Sequence, residues 1–166
     1  YNSFYASRED GIEKMCEWGA EVLSEEFAET ELLNHFYTYQ PQYLIEAKKH
    51  KELLQLFSDC GFWEKRKITL GTDSLLLRMF TELSMMQDKV KDKIFQTTGF
   101  NDVIYSISAD LFNKGLFVQM KKFGFTVPLR KDMSEKDRLV ALRYYYINGE
   151  YATIGNNMEL FETSCD

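Results

Sequence analysis

The chain has 166 residues, a net charge of −6 and a sequence pI near 5.1. That length suits one domain, and 45% hydrophobic with 15% aromatic residues gives ample material for a core. The acidity excludes a surface built to neutralise nucleic-acid phosphates, and no apolar run reaches the length of a membrane span.

Ser7 with Asp10 reads as a helix N-cap. Ile12, Met15, Cys16, Val22, Leu23 and Phe27 then recur at helical spacing, with acidic residues mostly between them. From Ser7 to Glu31 two basic residues stand against nine acidic ones, so this helix presents a solvated, anionic face. A shorter segment follows at Glu31–Tyr39. Pro41 suits the first turn of a new helix, where its missing N–H costs nothing, and that helix runs to about Asp59. Cys60-Gly61 reads as its stop. Phe62–Leu70 holds the basic cluster Lys65-Arg66-Lys67 and reads as a loop or a helical turn.

Asp73 caps a long helix from Ser74 to about Thr97, with Gly99 as its terminating glycine. Asn101 or Asp102 caps the next one, which Gly115 ends. Leu116–Phe123 adds a turn or two of helix. Gly124–Pro128 is a loop, because Pro128 holds Val127 extended.

The stretch from Ser134 to Met158 admits two readings. Asn148-Gly149 between aromatic and β-branched residues is a type I′ hairpin signal. Val140, Tyr144, Ile147, Tyr151, Ile154 and Met158, in contrast, step by three and four along one helical stripe, begun by Ser134 with Asp137. We take the helix as the main reading. The expected fold is an all-α bundle of six or seven helices, with one C-terminal hairpin as the minority alternative. Residues 1–158 would form a single domain and 159–166 a tail.

Three cysteines, Cys16, Cys60 and Cys165, are odd in number and far apart, so we expect no disulfide framework or zinc site and a reducing, cytoplasmic location. Glu31 with His35 and Glu46 with His50 are spaced i, i+4, but His50 lies among lysines that would repel a cation. We expect no metal and no cofactor. Neither nucleotide-binding, zinc-protease, EF-hand nor serine-hydrolase motifs occur, so no catalytic residue is assigned and no enzymatic activity is expected. The aromatic and Met stripes read first as core. If they surround a cavity, Trp63, Met79, Phe80, Met86, Tyr105 and Phe112 are the candidate ligand-binding residues.

Tyr1-Asn-Ser-Phe4-Tyr-Ala-Ser7-Arg8-Glu9-Asp10 resembles the junction after the DNA-binding helices of TetR-family transcriptional regulators. It carries one extra residue between Phe4 and Ser7, and Gly11 where Leu is usual. Tyr145-Tyr146-Ile-Asn-Gly149 followed by Ala152 and Ile154 is similar to the family's last helix, without its Trp. The resemblance implies an all-α sensor domain that binds a small apolar or aromatic effector and forms a homodimer through Asp102–Lys114 and Ser134–Met158. Ser106, Ala109, Gly149 and Ala152 would allow close approach there, and Tyr144, Tyr145 and Tyr151 would anchor it. The DNA-reading part would precede Tyr1, leaving this segment without nucleic-acid or membrane contacts. The alternative from composition is a helical interaction module, viral or effector-like, with an apolar groove for a partner's helix.

Overall fold

The computed structural model describes residues 7–24, 30–113, 118–122 and 124–162. The chain is all-α, and among the described residues it has eleven helices and no strand. No helix among them is long and apolar enough to cross a membrane. The residues group into two compact units, Tyr1–Phe100 and Asn101–Asp166.

In the first unit α1 (Arg8–Ser24), α2 (Thr30–Glu46), α3 (His50–Ser58), α4 (Cys60–Leu70), α5 (Thr72–Met85) and α6 (Asp88–Phe95) follow one another, and the start of α7 (Thr98–Asn113) completes it. Helix α2 is the hub, packing on α1, α3, α4 and α5. Ser7 begins α1 as expected, its Oγ accepting from the Asp10 N–H at 3.1 Å.

Pro41 lies inside α2 rather than at a helix start. A proline there removes the N–H owed to the carbonyl four residues back, which is that of Tyr37. Arg66 repairs the loss: its Nε donates to the Tyr37 oxygen at 2.7 Å, and Nη2 lies 3.4 Å from the Thr38 oxygen. The same guanidinium grips Glu82 of α5 with both nitrogens, Nη1 to Oε2 at 2.9 Å and Nη2 to Oε1. Arg66 and Glu82 are fully buried. The Trp63 and Phe62 rings lie 5.3 and 5.7 Å from the guanidinium carbon.

These contacts explain why 60–70 is a helix and not a loop. Asp59 caps it by accepting from the Gly61 N–H at 2.8 Å, so Cys60-Gly61 starts a helix rather than stopping one. Trp63 and Arg66 then fill one buried face, where the arginine breaks the apolar pattern. The two long stretches are also cut. Lys48, at φ 57°, ends α2: Lys48 N–H bonds to Ile45 O and Lys49 N–H to Leu44 O. This is the Schellman closure, with a lysine where glycine is usual. Gly71, at φ 76°, joins α4 to α5, which begins at Thr72 rather than at Ser74. The expected helix from Ser74 to Thr97 breaks at Met86–Gln87, both extended. Gly99 ends nothing. It lies in the first turn of α7, where a Cβ would meet the Phe57 carbonyl oxygen at 2.7 Å.

In the second unit the rest of α7 is followed by α8 (Val118–Lys122), α9 (Glu135–Ile147), α10 (Tyr151–Asn156) and α11 (Met158–Phe161), with α10 and α11 packed on α9. Gly115 lies outside the described residues. Residues 125–130 are the expected loop. Ser134 caps α9 through the Asp137 N–H at 3.1 Å. That helix ends at Ile147. Gly149, at φ 72°, donates to Tyr146 O, and Glu150 N–H donates to Tyr145 O. Asn148-Gly149 is therefore a turn, but a helix C-terminus and not a hairpin. The single helix to Met158 and the hairpin are both corrected. The left-handed glycine interrupts the stripe, and α10 resumes it after Glu150.

Removing one partner of the buried pair strands the other. Glu82→Leu is expected to cost about 3–5 kcal/mol in urea unfolding, and Arg66→Met/Glu82→Leu distinctly less than Glu82→Leu alone. Adding Pro41→Ala returns an N–H to Tyr37 O and should recover part of the remaining loss. Strict additivity of the three changes would contradict this account.

Candidate functional site

The first unit contains a cleft of about 600 Å³ between α1, α2 and α3. Its floor is made of buried side chains, Cys16 from α1 with Phe36, Gln40 and Leu44 from α2. Exposed carboxylates stand on its rim: Glu17 on α1, Glu52 on α3 and Asp59 after it. The Schellman turn at Lys48 delivers Lys49 to the same rim, where its Nζ lies 2.6 Å from Glu13 Oε1. That hydrogen bond holds the amine above its ordinary pKa.

Gln40 is a polar side chain in an otherwise apolar floor, 4% exposed. Its Nε2 donates to the Cys16 carbonyl oxygen at 3.2 Å. Gly19 makes room for it, since a Cβ there would stand 2.0 Å from Gln40 Oε1. That oxygen is buried without a hydrogen-bond partner. Burial pushes the Cys16 thiol up, Lys49 opposes this, and Glu13, Glu52 and Glu17 reinforce it. A thiol with a raised pKa is a poorer nucleophile than an ordinary cysteine.

The second unit carries a contrasting feature. Phe112, Leu142, Tyr146, Ile147, Tyr151 and Ile154 line an almost wholly apolar groove of about 510 Å³. Tyr146 and Tyr151 are 63% and 61% exposed and meet edge to face with centroids 5.6 Å apart. The Arg143 guanidinium carbon lies 4.4 Å from the Phe112 ring centroid.

Behind that face, three tyrosine hydroxyls hold the loop before α9. Tyr144 donates to Phe125 O at 2.9 Å, Tyr145 to Val127 O and Tyr105 to Pro128 O. Arg130 lies over the Tyr105 ring and 3.5 Å from Asp102 Oδ1. All three phenols are pushed up to about 12, in each case chiefly by burial. Glu150 adds to the shift of Tyr144 and Tyr145, while Arg130 works against that of Tyr105.

The six candidate ligand residues occupy different surroundings. Trp63 is closed in by Phe57, Phe62 and Phe100, with Nε1 donating to Phe57 O at 2.8 Å. Met79 and Met86 are buried, and Phe80 is 39% exposed. Tyr105 lines a smaller polar pocket with Asp102 and Asp137, and Phe112 lines the apolar groove. Of the candidate interface residues, Tyr144 and Tyr145 are buried within their own unit, and Gly149 serves as a helix cap. Ser106 and Ala109 are half-buried, while Tyr151 and Ala152 are exposed. His35 pairs with Tyr43 at 3.0 Å, ringed by Trp18 and Tyr39. Among the described residues no three His, Cys, Asp or Glu side chains are grouped to hold a metal.

The cleft and Tyr146 were missed by sequence reasoning. Gln40 on an apolar helix face and Gly19 inside a helix were the available signals.

The tyrosine shifts fix a pH dependence. The folded values lie above the unfolded value near 10, so this contribution to stability is complete below pH 10 and is lost as pH rises toward 12. Phenolate absorbance on alkaline titration should show a late-ionising group of about three tyrosines that merges with the rest in denaturant. Tyr144→Phe should cost about 1–2 kcal/mol and shrink that group by one. A single transition near 10 in the native protein would contradict the loop-holding role.

No protein-family model matches the chain, and no curated protein or solved structure matches it.

Proposed function

We propose that the chain is the ligand-sensing and dimerisation domain of a one-component transcriptional regulator, acting in the cytoplasm. The observation that carries the reading is the cleft, because one of its walls is α1. In the TetR resemblance that helix joins the sensor to its DNA reader. A small effector seated on Phe36 and Leu44 would touch Cys16 and Glu17 of α1 directly. Its preference for one position of α1 would shift the population of the attached reader. A tenfold preference shifts that equilibrium by about 1.4 kcal/mol.

The second unit supports the dimerisation half of the reading. Tyr146, Ile147 and Tyr151 form an exposed apolar face, and large exposed aromatics grouped together mark association surfaces. Tyr151 was an expected anchor, and Tyr146 takes the place of the buried Tyr144 and Tyr145. The same face also favours a second reading, a module that receives a partner's amphipathic helix in the groove lined by Phe112 and Ile154.

Light scattering after gel filtration separates the two. The first reading expects a dimer at micromolar concentration. Tyr146→Glu/Tyr151→Glu should convert it to a monomer with unchanged helical circular dichroism. A wild-type monomer over that range would contradict the dimerisation reading and favour the partner module.

A further inference from the structure

We infer that the cleft bounded by α1, α2 and α3 selects ligands that join an apolar body to a primary ammonium or similarly donating cation. The inference rests on the ligand-sensing reading and names the class of ligand.

Three independent features converge on it. The first is size and floor. About 600 Å³ falls within the range of small-ligand sites, and the buried Phe36, Leu44 and Cys16 offer an apolar bed. The second is an acceptor lacking a donor. The Gln40 carboxamide is oriented by its Nε2 bond to the Cys16 carbonyl, which leaves Oε1 buried and unpartnered. That oxygen lies against Gly19 with no exposed surface, so a ligand reaches it only where α1 shifts, and one that brings N–H or O–H is then favoured over one that brings another acceptor. The third is charge. Glu17 from α1 and Glu52 from α3 both line the cleft. Asp59 adds a third carboxylate, one oxygen of which caps α4. The cation at the rim, Lys49, is engaged by Glu13. At the floor, burial is the main influence raising the Cys16 thiol pKa, Lys49 opposes it, and Glu13, Glu52 and Glu17 add to it. A cationic head meets the rim carboxylates favourably, while a carboxylate head is opposed by them.

Calorimetric titration of the full chain with n-decylammonium, decanol and decanoate tests this, each kept below its micelle concentration. The three share one apolar body and differ in the head. Decylammonium is expected to bind at least tenfold more tightly than decanoate, with a preference that weakens in high salt. Glu17→Gln/Glu52→Gln, two exposed changes that leave the floor intact, should weaken decylammonium about tenfold and leave decanol unchanged. Equal binding of decanol and decylammonium, with no effect of the double variant, would overturn the inference and leave the sensing reading standing. Tightest binding of decanoate would do the same. Binding of none of the three would overturn both.

Discussion

The first unit depends on the Arg66 guanidinium, one buried cation that answers two demands. Pro41 leaves the Tyr37 carbonyl without its helical donor, and Glu82 brings a carboxylate into the interior. Arg66 meets both, tying α2, α4 and α5 at one point. A buried ion pair contributes little net stability over a well-packed apolar substitute, because desolvation offsets most of the attraction. Its effect here is on register. An apolar core tolerates sliding helices, whereas this arrangement is satisfied only when a proline-freed carbonyl, a fork of donors and a carboxylate meet.

From that point a polar relay runs outward along α2. Arg78 lies 3.9 Å from Glu82, over the Tyr39 ring, and donates to Gln42 at 2.8 Å. Gln42 donates to Glu46 at 3.0 Å, and Glu46 pairs with Arg8 at the start of α1. The relay becomes more exposed and weaker as it reaches α1. Exposed pairs such as Arg8–Glu46 contribute about 0–1 kcal/mol. Helix α1 packs chiefly on α2 and, among its described side chains, buries Cys16, Gly19 and Val22. The cleft thus has two walls that each pack on several helices and one, α1, that packs chiefly on α2. The second unit reaches order by a different device. There the hydroxyls of Tyr144, Tyr145 and Tyr105 hold loop carbonyls, so aromatic bulk fills the interior while its polar tips satisfy irregular backbone.

The same physics explains what could be read from the residues alone. Ser7 and Ser134 were legible because a cap and the N–H it satisfies are three residues apart. The all-α class was legible because periodicity is local. Pro41 was misread because its compensation comes from a residue 29 positions from the carbonyl concerned. Phe62–Leu70 was misread because its buried face is interrupted by Arg66, which counts as solvent-facing until its partners are known. At Asn148-Gly149 a reversal signal and a helical stripe were both present, and a Schellman cap accommodates the two by ending one helix and starting another. The cleft was the least legible feature. Gln40 and Gly19 acquire meaning only as a pair, one filling the space the other leaves, and they belong to different helices.

We propose that α1 is the adjustable wall of a ligand cleft whose other walls, α2 and α3, rest on several helices. Native-state amide hydrogen exchange with and without decylammonium tests it most directly. Amides of α2, α4 and α5 should exchange only with global unfolding, those of α1 through a smaller local opening, and ligand should slow α1 selectively. Protection of α1 equal to that of α2 without ligand, or ligand-induced protection confined to α9 and α10, would contradict it.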